Sequence, residues 1–123
     1  LMIFQNINNM GEIMRKSTVA VSAGGSTVYE LFASGVPVVC LGFSDNQIGF
    51  GEKLEGHGVA KWAGDVRKDA HLVTDTVILC LKEYLTSDMR SIRQKISNLV
   101  DGKGAMRIAK IITDLSAQGK EKI

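Results

Sequence analysis

The residues best suited to chemistry are two adjacent glycines, Gly24 and Gly25, followed by the hydroxyl residue Ser26. They come directly after an apolar run at residues 18–22 and directly before a stretch with helical spacing. Glycine lets the backbone turn tightly and approach a ligand closely, and a helix start offers unpaired N–H groups. These features predict an anion site suited to a diphosphate. The pattern is not a dinucleotide, P-loop or nucleophile-elbow motif, so it does not name the ligand.

Glu30 follows in the same segment, and its carboxylate has two interpretations that the local pattern leaves open. Thr27 and Glu30 match the capping box, in which the glutamate side chain bonds back to the N–H of the cap residue. Alternatively, the carboxylate accepts hydrogen bonds from two neighbouring hydroxyl groups, such as those of a ribose. The first role would stabilise a helix, and the second would bind a ligand.

A second group of candidate residues, Asp45, Asn46 and Gln47, comes just after the apolar run at residues 37–41. Its loop is expected at the same edge of the sheet as the Gly-Gly-Ser turn, because parallel strands end at one edge. Side-chain amides suit sugar hydroxyls because each amide both donates and accepts hydrogen bonds. The alternative is that Asp45 or Asn46 only caps the following helix.

No residue stands in a pattern typical of an acid, base or nucleophile. His57 and His71 are isolated, and we expect both at the surface. No serine or cysteine has a histidine and an acid at a spacing that we can place beside it, and no carboxylate pair is evident. Cys40 and Cys80 lack the spacing of metal ligands. The sequence therefore predicts binding without catalytic residues, a metal or a cofactor.

The two cysteines and the hydropathy pattern indicate the cellular compartment of the protein. Cys40 and Cys80 lie in apolar runs, which favours buried free thiols in a reducing compartment. No stretch approaches the roughly 20 apolar residues of a membrane span, and no signal-peptide pattern opens the chain. We therefore expect a cytoplasmic protein without a membrane span.

The charge distribution does not indicate nucleic acid as a partner. The net charge is +2, and residues 82–123 carry nine Lys/Arg against five Asp/Glu. A solvated helix face is the simpler explanation of this basic segment, although it could also meet phosphates or an anionic membrane. The aromatic residues Tyr29, Trp62 and Tyr84 are too scattered to form a stacking platform for bases.

The elements that must position these residues alternate between apolar strands and helices. This order predicts an α/β fold, a Rossmann-like parallel sheet of about four strands with flanking helices and a helical C-terminal segment. The strands are expected at residues 3–5, 18–22, 37–41 and 59–62. Helices are expected after Asn9 and at residues 27–34, 47–55, 72–85, 89–99 and 105–115, with fraying over residues 118–123. Residues 1–123 form one predicted domain, and the small number of strands suggests that further strands precede it.

In these residues the sequence resembles the C-terminal domain of the GT-B superfamily. It is most similar to the UDP-sugar hydrolases of pseudaminic acid biosynthesis and the related spore-coat polysaccharide proteins. It also resembles the N-acetylglucosaminyltransferase that forms lipid II. The matching stretches are Ser22-Ala23-Gly24-Gly25-Ser26-Thr27 with Glu30, Gly35-Val36-Pro37, Asp45-Asn46-Gln47, and Asp101-Gly102-Lys103-Gly104-Ala105 with Arg107-Ile108.

The resemblance implies a UDP-sugar as ligand, and it assigns parts of that ligand to named residues. The diphosphate would be held by Gly24, Gly25, Ser26 and Thr27. Glu30 would bind the ribose, Asn46 and Gln47 would reach the sugar, and Ile7 and Met10 would line the uracil pocket.

The resemblance also implies that this chain is inactive alone, as the nucleotide-binding half of a hydrolase or glycosyltransferase. In the hydrolases, the residue thought to activate water is a histidine of an N-terminal domain that this chain lacks. Two alternatives stay open at this point. The chain is a non-catalytic subunit of a two-chain glycosyltransferase, or it is an α/β interaction module without a nucleotide site.

Overall fold

The structure is a computed structural model that describes residues 1–121. Three strands and six helices alternate over most of this length. In chain order they are α1 Met10–Lys16, β1 Ala20–Ala23, α2 Thr27–Ala33, β2 Val38–Gly42, α3 Asp45–Gly56, β3 Lys61–Asp65, α4 Ala70–Thr86, α5 Arg90–Leu99 and α6 Gly104–Glu121.

The strands form one parallel sheet in the order β1-β2-β3. In its register Ala20 pairs with Val38, and Cys40 pairs with Trp62. Each strand is joined to the next by a helix, because parallel neighbours need a crossover connection. The predicted parallel α/β architecture with flanking helices is therefore confirmed.

The core lies on both faces of β2, the central strand. Val38 and Cys40 point to one face, where they pack in a cluster with residues of α2, α3 and α5. Val39 points to the other face and packs with residues of α4, including Tyr84. This alternation follows from the two-residue period of a strand. Since both faces are covered, the strand is apolar at successive positions, as the sequence shows.

The predicted number of strands is wrong by one within the described residues. Residues 3–5 do not form a strand, and the side chains of Ile3 and Phe4 are 78% and 56% exposed. An apolar run becomes a strand only where a neighbouring strand pairs with it, and no described strand lies beside this run. β3 also begins later than predicted, at Lys61, after Gly58 turns the chain with a φ of +65°.

The last helix, α6, contributes little to the core. Its large apolar side chains are all more than half exposed: Met106, Ile108, Ile111, Ile112 and Leu115. The helix continues through residue 121, beyond the end predicted at residue 115, while the predicted fraying over residues 118–123 stays a prediction and residues 122–123 lie outside the described part. Within residues 1–121, no helix has the length and apolar character needed to cross a membrane.

Candidate functional site

The turn after β1 is held close to the first turn of α3. The N–H of Gly24 donates to the carbonyl oxygen of Leu41, at 3.0 Å. A Cβ atom at Gly24 would lie only 2.5 Å from the carbonyl oxygen of Gln47. Gly24 is therefore required by a close backbone approach, which brings the Gly-Gly-Ser turn and the Asn46-Gln47 segment to one edge of the sheet.

Gly25, by contrast, faces open space. A Cβ atom there would have no other atom within 4 Å. Ser26 and Thr27 follow, both exposed, and the hydroxyl of Ser26 makes no hydrogen bond with the helix that it precedes. Backbone and hydroxyl groups of this turn are thus accessible to a ligand on the side away from α3.

Of the two interpretations of Glu30, the capping box with Thr27 is wrong. The cap residue of α2 is Ser26, so Thr27 already belongs to the helix and Glu30 is its fourth residue. A capping-box glutamate must be the third. Glu30 is exposed and lines a cavity of about 410 Å³ beside α2. Its carboxylate makes no hydrogen bond within residues 1–121, which leaves it available to a ligand.

The amide side chains at the start of α3 are anchored through their oxygen atoms. The hydroxyl of Ser44 donates to Oδ1 of Asn46 at 2.6 Å, and the backbone N–H of Phe43 donates to Oε1 of Gln47 at 2.9 Å. Ser44 is the cap residue of α3, so the alternative that Asp45 or Asn46 caps this helix is wrong. Each anchored amide still has an NH₂ group that can donate to a ligand.

A charged cluster at the same edge was missed by the sequence reasoning. The guanidinium group of Arg67 donates to Asp65, the last residue of β3, at 2.9 Å and to Asp45, the first residue of α3, at 2.8 Å. These hydrogen bonds, with that to Asp65 the stronger influence, raise the pKa of Arg67 and lower the pKa of Asp65. The sequence feature that could have indicated this cluster is an aspartate at a strand end with an arginine two residues later.

The residues assigned to a uracil pocket lie before and at the start of α1, which packs against α2. Ile7 is partly buried, and Met10 is 48% exposed as the first residue of α1. Their contact with a base stays a prediction.

The histidines and cysteines do not form a reactive group. His57 and His71 are exposed, at the end of α3 and in the first turn of α4. Cys40 and Cys80 are buried free thiols, and burial raises the pKa of Cys40 to about 11, which keeps that thiol protonated. No group of three or more potential metal ligands occurs within the described residues.

Comparison with known proteins gives one informative similarity. No protein-family model matches the chain, and no solved structure matches it significantly. The chain is 28% identical, over 118 residues, to the spore coat polysaccharide biosynthesis protein SpsG of Bacillus subtilis (strain 168). The similarity covers 94% of this chain but 34% of that protein, so the chain spans about a third of the length of this relative. The chain is thus similar to one part of a polysaccharide biosynthesis protein.

Proposed function

We propose that this chain binds the nucleotide part of a UDP-sugar, as one domain of a nucleotide-sugar hydrolase or glycosyltransferase in glycan biosynthesis. The observation that carries the proposal is the close approach of Gly24 to Gln47, which gathers two polar loops at one sheet edge. Ligands of open α/β sheets bind at such an edge. The similarity to a protein named for polysaccharide biosynthesis supports the same class of substrate.

In this proposal the diphosphate lies over Gly25, against the hydroxyl groups of Ser26 and Thr27. Gly25 has open space above it, and both hydroxyl residues are exposed. α2 has only seven residues, so its dipole adds little, and direct hydrogen bonds from N–H and hydroxyl groups must supply most of the attraction. Gly25 matters because a side chain there would occupy the space that the phosphates need.

The remaining parts of the ligand extend to either side of the diphosphate. The carboxylate of Glu30 accepts hydrogen bonds from the two ribose hydroxyls. The NH₂ groups of Asn46 and Gln47 donate to hydroxyl groups of the sugar. The oxygen anchors of both amides fix the direction of those donors, which lowers the entropy cost of binding.

The proposed reaction is attack on the anomeric carbon by water or by an acceptor hydroxyl, with UDP as the leaving group. This chain stabilises the negative charge that develops on the departing diphosphate. In this proposal the base belongs to a second domain that clamps the UDP-sugar from the other side. We place the enzyme in the cytoplasm, in keeping with the two buried free thiols.

Calorimetric titration of this chain with UDP and with ADP tests the proposal. We expect UDP to bind more tightly than ADP, and Glu30→Ala to weaken UDP binding at least about tenfold, because two charge-assisted hydrogen bonds are lost. Gly25→Ala should weaken binding without changing the fold. If UDP does not bind at millimolar concentration, or if Glu30→Ala leaves its affinity unchanged, the proposed function is wrong.

Assays of a longer protein that includes the second domain separate the two proposed reactions. Release of UDP from a UDP-sugar without any acceptor indicates a hydrolase, whereas a strict requirement for an acceptor indicates a transferase.

A further inference from the structure

The turn between α5 and α6 has a defined structure that the proposed function does not use. Oδ1 of Asp101 accepts a hydrogen bond from the N–H of Lys103 at 2.9 Å, and Gly102 adopts the left-handed conformation with a φ of +73°. Nη1 of Arg107 donates to the same oxygen at 3.1 Å, and Nη2 donates to Oδ2. The turn therefore holds the guanidinium group of Arg107 in one orientation.

The ion pair persists over a wide pH range. Arg107 lowers the pKa of Asp101 to about 2, so the carboxylate is ionised at any pH where the protein is expected to work. The Arg107 side chain is 62% exposed. Its N–H groups that do not contact Asp101 can still donate to another molecule, because a guanidinium group has five N–H donors.

Arg107 and Glu30 line the same cavity of about 410 Å³. Tyr29 and Glu30 of α2 form one wall, and Leu99 and the turn that follows it form the opposite wall. The cavity thus combines an acceptor group, a donor group and apolar surface. A nucleoside has the complementary combination: a ribose with two hydroxyl donors, and a flat base with polar atoms on its edge.

Building on the proposed nucleotide site, we propose that Arg107 binds the base of the nucleotide and that Asp101 is the positioning residue for Arg107. With the ribose at Glu30, the base lies in the cavity against the apolar surface of Leu99. This position replaces the uracil pocket that the sequence resemblance assigned to Ile7 and Met10, neither of which lines this cavity. The guanidinium group then donates to a carbonyl oxygen of the base. Uracil has such carbonyl oxygens and adenine has none, so this contact favours uridine nucleotides over adenosine nucleotides.

Titration of the isotope-labelled chain with UDP, ADP and pyrophosphate, followed by NMR, tests the inference. UDP should shift the amide signals of Gly102 and Gly104, whereas pyrophosphate, which has no base, should not. Arg107→Gln should weaken UDP binding by about tenfold, the loss expected for one charge-assisted hydrogen bond, and should leave pyrophosphate binding unchanged. Asp101→Asn, which keeps an acceptor for the N–H of Lys103, should weaken UDP binding by a smaller factor.

The matched control is Arg90→Gln. Arg90 forms a comparable exposed ion pair with Asp88, two residues before it, but Arg90 does not line the cavity with Glu30. This variant should bind UDP as the wild type does, and circular dichroism should show that each variant is folded.

The outcomes separate this inference from the proposed function. If UDP binds and depends on Glu30, but Arg107→Gln binds it with unchanged affinity, the role of Arg107 is wrong and the nucleotide site stands. Equal loss of UDP and pyrophosphate affinity in Arg107→Gln also refutes a contact with the base. If UDP causes no signal shift at millimolar concentration, both proposals are wrong.

Discussion

Alanine substitutions at Gly24 and Gly25 give a direct test of the close approach that builds the candidate site. Neither glycine has a positive φ, so both backbones accept alanine without strain. The two positions differ in space: a Cβ atom at Gly24 would lie 2.5 Å from the carbonyl oxygen of Gln47, whereas a Cβ atom at Gly25 meets nothing within 4 Å. Any difference between the two variants therefore reports on the packing of α3 against the turn.

The loss of unfolding free energy expected for Gly24→Ala depends on which atoms must move to make room for the new methyl group. The atom that the new methyl group meets is a backbone oxygen at the start of α3, so the helix has to shift as a unit. Overpacking of this kind costs about 1–3 kcal/mol of unfolding free energy. For 123 residues the entropy of unfolding is about 0.26 kcal/mol/K, so a loss of about 2 kcal/mol lowers Tm by about 8 °C. Gly25→Ala should stay within about 1 kcal/mol of the wild type, on either side.

Thermal and urea unfolding, both followed by circular dichroism, measure these changes. The two substitutions should also differ in their effect on the ligand: Gly25→Ala weakens UDP binding in a protein of normal stability, whereas Gly24→Ala lowers stability itself. Equal stability of the two variants would refute the argument, because it would mean that α3 does not approach Gly24 as closely as the structure indicates.

Three further predictions concern groups around the site. Gly51→Ala would place a Cβ atom 2.3 Å from the ring of Trp62, so we expect a loss of about 1–3 kcal/mol and a change in the fluorescence of this single tryptophan. Burial raises the pKa of Tyr84 to about 12, so absorbance should show this tyrosine ionising near pH 12. The stabilisation of the fold by its buried neutral form should be lost as pH rises from 10 toward that value. Arg67 lowers the pKa of Asp65 from 3.8, so this carboxylate stabilises the fold above pH 3.8 and the effect is lost as pH falls through its folded-state pKa.

Each of these predictions has a control. Gly49→Ala lies on the same helix, with open space around the new methyl group, and should not destabilise the protein. Tyr84→Phe should remove this late ionisation. Asp65→Asn should lose less stability on acidification than the wild type in urea unfolding. Identical acid profiles for the two proteins would contradict the role given to Arg67.

The sequence predicts a strand correctly where other residues of this chain cover both of its faces. The run at residues 37–41 is apolar at successive positions because β2 is the central strand with both faces covered, so its strand character is visible in the sequence. Ile3 and Phe4 are also apolar, but residues 3–5 lie exposed, since no described strand pairs with them. An apolar run indicates that a segment is suited to burial. Whether the segment forms a strand depends on a neighbouring strand, and the run itself does not show whether that strand is present.

The candidate site was likewise predicted only in part from the sequence. That the two polar loops lie at one edge could be predicted, because parallel strands end together. The cluster of Arg67 could not, because the sequence placed the last predicted strand at residues 59–62 and therefore left Asp65 in a loop. The structure ends β3 at Asp65, which brings its carboxylate to the sheet edge. A shift of a few residues at a strand end thus decides whether a charged residue is recognised as part of a site.

The central position of β2 determines how rarely its backbone amides are exposed to solvent by local unfolding. Of the three strands within residues 1–121, β2 alone has hydrogen-bonded neighbours on both sides, and Val38, Val39 and Cys40 are fully buried. Its amide protons should therefore exchange with solvent most slowly, because they are released only when the whole sheet separates. The segment that carries Asn46 and Gln47 continues directly from this strand, so one end of the proposed ligand site is attached to the part of the molecule that fluctuates least.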